Sequence, residues 1–279
     1  MRHLDVRRMN QKRARICNWN HLAKSLAAAA LLPLASLAAH ADLLSAGVDL
    51  GTADNYSIFA LSKGITISGG VPSVVDVNGD IAALGSSLIL NNDVLVEGNV
   101  YYTGTFKENS HSSITGTAFH DASTLTALQQ AASDANAASQ SAFSLTATAG
   151  YASNISIKSD LTLTGTGNVV LSLKNFVIQK NATLTLSGDA NTTFVINVTR
   201  QFLLKNGHIV LAGGLTTSNV LFNLGSKVAG ASILVGSTLD GILLAPKTQV
   251  NITGGSQVKG QVIAKKVVLT GKNPPVVSP

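Results

Sequence analysis

Cysteine is almost missing from this chain of 279 residues, Cys17 being the only one. Disulfides and thiol chemistry are thereby excluded for everything beyond it, and stability has to come from burial and hydrogen bonding. Aromatic residues make up 5% of the sequence, so any core must be assembled from Val, Ile, Leu and Ala. Charged residues make up only 12%, and Arg200 is the single arginine after Arg15. Long apolar runs are absent as well. The longest, from Leu26 to Ala39, falls short of the roughly 20 residues that a bilayer-spanning helix needs.

That run belongs to an export signal. Arg2, Arg7, Arg8, Lys12, Arg13, Arg15 and Lys24 precede or enter it, and it closes on Ala39-His40-Ala41, the small-x-small pattern of a signal peptidase site. Cleavage is expected before Asp42, with no membrane span afterwards. Arg7-Arg8 lacks the rest of a twin-arginine context, so ordinary Sec export to the extracellular space or cell surface is expected. Removing residues 1–41 leaves 13 basic and 13 acidic side chains, a formal net charge of zero. A nucleic-acid partner, which needs clustered cations to neutralise phosphates, is excluded on that balance.

What is abundant is a short alternating pattern: apolar, any, apolar, small, glycine. It occurs at Ile65–Gly69, Leu161–Gly165, Leu184–Gly188, Ile209–Gly213, Val250–Gly254 and Val267–Gly271. Alternation with period two sends the apolar pair to one side of a strand and the intervening residues to the other. From Leu161 the copies are spaced 23, 25, 41 and 17 residues apart, matching one solenoid coil three times and about two coils once, with Ile65 standing apart. Further apolar strands lie between them, such as Phe194–Val198 and Val220–Leu224. A β-sandwich also has many short strands, but it requires no repeated local motif. The expected fold is therefore mainly β, a β-solenoid (β-helix) over residues 42–272.

One segment departs from this pattern. Over 123–143 the residues Leu125, Leu128, Ala131, Ala132, Ala135, Ala138 and Ala142 recur near a 3.6-residue period, with Ser123 as N-cap. An alanine-rich α-helix packed along the solenoid is expected. The Pro-rich tail, 273–279, is expected to stay outside the ladder, and no anchoring signal follows it.

Leu50–Leu61, Gly241–Pro246 and Gly260–Lys265 resemble bacterial choice-of-anchor A domains. That resemblance implies an adhesive β-solenoid module of exported proteins. The order of opening strands, a Gly79-Asp80 turn, an alanine-rich helix and a long run of coils with a Val220–Asn223 type strand is similar to the ice-binding-like β-solenoids. The second resemblance implies the same architecture and binding to ice.

Residues able to support catalysis are sparse. Asp160, Asp189 and Asp240 are the only acids of the later coils, and no two are close in sequence, against the paired carboxylates of glycoside hydrolysis. His111, His120 and His208 have no second histidine at helical spacing, with His208 read as part of a turn. Asp76-Val77-Asn78-Gly79-Asp80 lacks the later glutamate of a calcium loop and reads as a turn with Asn78 and Gly79 in unusual backbone angles. No catalytic residue, cofactor or metal is expected. The outward positions of the repeated motif are the candidate surface: Thr66, Ser68, Thr162, Thr164, Thr185, Ser187, Asn251, Thr253 and Thr270. Stacked at about 4.8 Å, they would form hydroxyl ranks on one flat face. The expected partner is an extracellular surface, polysaccharide or matrix protein, or alternatively ice.

Overall fold

The computed structural model describes Leu43, residues 46–70, 74–109, 111–148, 150 and 152–271, and the backbone of Val276–Ser278. The export signal of the sequence reading lies outside the described residues. The chain winds into a parallel β-solenoid with three sheets, each coil giving one strand to each. Apolar residues of alternate positions point inward from all three sheets and form one continuous core, from Val100 and Leu90 through Ile58, Leu269 and Val250 to Phe176 and Leu184. The shared interior inferred from the alternating pattern is thus present.

The order of coils is not the order of the chain. In the first sheet Ile58–Ala60 pairs on one side with Ile81–Ala83 and on the other with Val262, Ile263 and Ala264. The chain therefore starts in the middle of the stack and climbs through Val100–Tyr102 to Ala118–Phe119 at one end. The helix returns it to the far end, where Asn154–Ile157 and Leu161–Thr164 begin a second climb. The last coil then reaches the open side of the first. The closing backbone segment Val276–Ser278 takes a ladder place in the third sheet, between Gln257–Lys259 and Val75–Asn78. This corrects the expectation that the tail stays out of the ladder: Pro274 and Pro275 precede the paired residues, and a proline only removes its own N–H. Among the described strands, open edges are left only at the two ends of the stack, where further strands would be free to pair.

The helix runs Ala122–Ser144, and its N-cap is Asp121, not Ser123. The Asp121 carboxylate accepts from the Thr124 amide at 2.7 Å and from the Ser123 hydroxyl at 2.7 Å. Leu128, Ala131, Ala135, Ala138 and Ala142 are buried, whereas Leu125 is exposed. Small side chains on this stripe let the axis lie close to the first sheet, whose outward residues Phe59, Val195, Leu221, Ile242, Leu244 and Ile263 form a second apolar cluster with it. The helix also holds the opening segment: Asp134 accepts from the Thr52 amide at 2.9 Å and the Thr52 hydroxyl at 2.7 Å. With the first sheet covered, only the second and third present their outer sides.

Hydrogen bonds from the Thr124 amide, then from the Ser123 and Thr124 hydroxyls, hold the Asp121 carboxyl at about 2, below its ordinary 3.8. A carboxylate lowered in the folded state stabilises it above the unfolded value, and that contribution is lost as pH falls from about 4 towards 2. Asp121→Asn keeps a capping oxygen without the titration. Thermal melts at pH 5 and pH 2 are expected to show a smaller acid-induced fall in Tm for this variant than for the parent chain.

Candidate functional site

Five of the nine candidate residues come together on the second sheet. Asn251, Val268, Thr66 and Ile89 are consecutive partners across four coils, and Thr253, Thr270, Ser68 and Asn91 form the rank beside them. All eight are half-exposed. Between them, Val250, Ile252, Val267, Leu269, Ile65, Ile67, Leu88 and Leu90 turn inward and are fully buried, which fixes the backbone under the strip. Asn91 Nδ2 donates to Ser68 Oγ at 3.3 Å, and Asn109 Nδ2 donates to Asn91 Oδ1. The strip crosses the seam where the last coil meets the first, because Ile65 stacks directly on Val267. The copy that stood apart in sequence is a central one in space.

Thr162, Thr164, Thr185 and Ser187 lie elsewhere. They pair as Thr162 with Thr185 and Thr164 with Ser187 on the third sheet, at the end of the stack where the second climb begins. The single flat face expected from the motif is therefore two separate patches. The motif marks any strand that ends at a corner, so it occurs on more than one side of a three-sided coil. The 41 residues from Ile209 to Val250 contain a change of sheet in addition to a coil advance, since Ile209 pairs with Leu184 in the third sheet and Val250 with Ala231 in the second. Two contributors were missed by the motif. Ile89 and Asn91 sit in Ser87–Asn91, which alternates well but has no closing glycine; Val268 lies within the copy Val267–Gly271 and fills an outward position without a polar group.

The residues considered for catalysis or metal binding do not converge. Asp160 accepts from the Thr183 amide at 2.8 Å, and Asp189 accepts from the Asn191 amide at 3.0 Å and the Thr192 hydroxyl at 2.8 Å. Asp240 lies 4.0 Å from the Lys259 ammonium, and burial raises its pKa against the pull of that lysine. His208 is in a strand, contrary to the turn expected, with Nδ1 at 2.8 Å from Thr238 Oγ1. Only the preceding Asn206 has a positive φ. His120 stacks on Tyr102 with ring centres 4.6 Å apart, and His111 lies 4.0 Å from Asp93. Asp76 and Asn78 belong to a strand, Gly79 alone takes a positive φ, and Asp80 accepts from the Asn99 amide at 2.7 Å. Among the described residues no group of three or more His, Cys, Asp or Glu could hold a metal ion. No described helix is long and apolar enough to cross a membrane.

This architecture, a three-sided parallel solenoid with one helix along it, is shared with proteins of the ice-binding type. The crystal structure of an ice-binding protein from the Antarctic ascomycete Antarctomyces psychrotrophicus matches with TM-score 0.54 at 21% identity, over 83% of this chain and 97% of that one. A glycosylated ice-binding protein from an Arctic yeast matches with TM-score 0.56 at 21% identity, over 83% and 94%. An ice-binding protein domain of the bacterium Shewanella frigidimarina matches with TM-score 0.51 at 20% identity, over 83% and 96%. At these identities the likeness establishes the fold. The model of the ice-binding-like adhesive domain family matches residues 45–273, and the chain belongs to that family. The match is thus to the second of the two resemblances read from the sequence; the choice-of-anchor A assignment has no such support. No curated protein sequence matches the chain.

Proposed function

We propose that this is an exported, non-catalytic adhesive module that attaches to an extended surface through the strip on its second sheet. The observation that carries this reading is the contiguous strip itself: eight outward side chains in register over four coils, free of charge and spanning the seam between the chain's first and last coils. A ladder with a fully buried underside loses little freedom on binding, so contacts along it are not offset by ordering of loops. The family description, an ice-binding-like adhesive domain, supports the same reading.

Ice binding is the second reading, favoured by the solved ice-binding structures and by the pairing of methyl and hydroxyl groups at coil spacing. The strip fits it less well. One rank reads Asn251, Val268, Thr66 and Ile89, side chains of mixed size and polarity, and Lys266 and Lys107 border them.

The test uses the full exported chain and the double variant Thr66→Tyr with Thr270→Tyr, checked for parental circular dichroism. On an array of glycans and matrix proteins the parent is expected to adsorb, and the variant to lose at least tenfold in apparent affinity. Equal adsorption by the two would overturn the strip. Thermal hysteresis in the parent, abolished in the variant and without array binding, would establish the ice reading. Inactivity in both assays would end the surface-binding proposal.

A further inference from the structure

Basic residues are not scattered over this molecule. Thirteen follow residue 42, and seven of them lie at one corner of the solenoid, where the first sheet turns into the second. The register fixes this placement coil by coil. Lys174 lies at the shift between Leu173, which pairs with Val198, and Asn175, which pairs with Gln201, so it adjoins Arg200. Lys227 follows in the turn between Leu224, partner of Val198, and Ala231, partner of Phe202. Lys247 occupies the same turn of the next coil, and Lys265 and Lys266 that of the one after. Lys63 continues the series across the seam, its amide donating to the Lys265 carbonyl at 2.9 Å. Six consecutive coils each put at least one cation on this corner, a ridge of about 24 Å at a coil rise of about 4.8 Å.

Seven carboxylates lie at or beside the third sheet. Asp76, Glu97 and Asp240 point out from the third sheet, while Asp80, Asp93, Asp160 and Asp189 stand in the turns that flank that sheet. Among the described residues, the salt bridges are Lys259 with Asp240 and His111 with Asp93, and none involves the ridge. The zero net charge from residue 42 onward therefore hides an excess of cations along this corner. At one end the ridge borders an open cavity of about 920 Å³ lined by Lys174, Arg200, Lys227, Thr199, Ser226 and Phe143. Phe143, 38% exposed, adds an apolar wall beside the hydroxyls and cations.

We propose that this corner is a second binding surface, one that takes a linear acidic polysaccharide along the solenoid axis. Unpaired cations repeated in a line attract a polyanion by releasing its condensed counterions, and Arg200 can grip a carboxylate with two parallel hydrogen bonds. An extended glycan with one carboxylate per ring advances by about a ring length per charge, close to the coil rise. A duplex spaces its phosphates about 3.4 Å apart along each strand and fits that rise poorly. Single-stranded nucleic acid binds on successive aromatic platforms, and Phe143 is the only aromatic side chain lining the cavity. The cavity offers a recess roomy enough for more than one sugar ring, with an apolar wall and two hydroxyls.

The ridge adjoins the second-sheet strip at Lys266 but is made of other residues, and the two are tested separately. Binding of the full chain to alginate is measured at 50 mM and 300 mM NaCl, with neutral dextran and a single-stranded oligodeoxynucleotide as comparators. Lys174→Gln, Arg200→Gln, Lys227→Gln and Lys247→Gln are combined in one variant. Lys107→Gln, Lys158→Gln, Lys180→Gln and Lys205→Gln remove the same charge elsewhere in a second. Salt-sensitive alginate binding is expected, at least tenfold weaker in the first variant and within twofold of the parent in the second and in Thr66→Tyr/Thr270→Tyr. No alginate binding by the parent at 50 mM NaCl, or equal losses in the two charge variants, would overturn the ridge. Tighter binding to the oligonucleotide than to alginate would overturn the choice of glycan.

Discussion

Phe222→Ala is expected to lower the stability of the folded chain by about 3–5 kcal/mol, the usual cost of emptying a large buried aromatic site. Phe222 is fully buried at the point where three coils meet. Its ring lies 5.5 Å from that of Phe176 and 5.9 Å from that of Phe202, at steep angles to both, while those two stack on each other at 5.3 Å. Two edge-to-face contacts are lost together with the buried area, and each such pair contributes about 0.5–1.5 kcal/mol beyond burial. The neighbours cannot collapse into the space, because each is pinned by ladder hydrogen bonds of its own coil. For a domain of this length the loss corresponds to a fall in Tm of roughly 10 °C. Phe222→Leu, which keeps part of the volume, should lose clearly less. Denaturant melts followed by circular dichroism give both values, and a loss under 1 kcal/mol for Phe222→Ala would mean that the ring cluster is not tightly packed.

The cluster also explains how the fold could be read from so few aromatics. The apolar runs Val169–Leu173, Phe194–Val198 and Val220–Leu224 were enough to mark strands, alternation in the five-residue motif was enough to place its inward pairs, and the period of the alanines was enough to place the helix. Three-sidedness was less accessible. A corner requires only a glycine or a bulge, and the same five-residue motif ends strands in the second sheet at Ile67 and Ile252 and in the third at Leu163 and Leu186. The circular order of the coils left no trace, since nothing in Ile65–Ser68 distinguishes a strand that will stack on Val267 from one that follows it in the chain. The strip was therefore read as part of a larger face. By contrast, the cationic corner had a usable signal. Lys174, Arg200, Lys227, Lys247 and Lys265 follow one another by 26, 27, 20 and 18 residues, steps of coil length, but the zero sum of charges drew attention away from their periodicity.

Asn223 carries the other large expected effect. It lies on the outward side of the first sheet, in a strand otherwise apolar, and stands in register with Asn197 of the neighbouring coil. Their side chains form a ladder under the helix. Asn223 accepts from the Ser139 hydroxyl at 2.6 Å and donates to the Ser139 carbonyl at 3.0 Å and to Asn197 Oδ1 at 2.8 Å, while Asn197 donates to the Ala142 carbonyl at 2.6 Å. Both asparagines are buried, so water does not replace a partner that is removed. Asn223→Ala orphans the Ser139 hydroxyl and Asn197 Oδ1, each at about 1–3 kcal/mol, for a total of roughly 3 kcal/mol. The loss should not add to that of Asn197→Ala, because the bond between the two is counted in both; a coupling energy of about 1 kcal/mol is expected in the double-mutant cycle. It should also be local. Hydrogen exchange is expected to accelerate in 131–144, where the helix lies on the ladder, before it does in the inward strands, since the helix loses its buried hydrogen bonds to Asn223 and keeps that of Asn197 to the Ala142 carbonyl, while the three-sheet core stays intact. Strict additivity, or acceleration spread evenly over all three sheets, would show that the ladder is not what docks the helix.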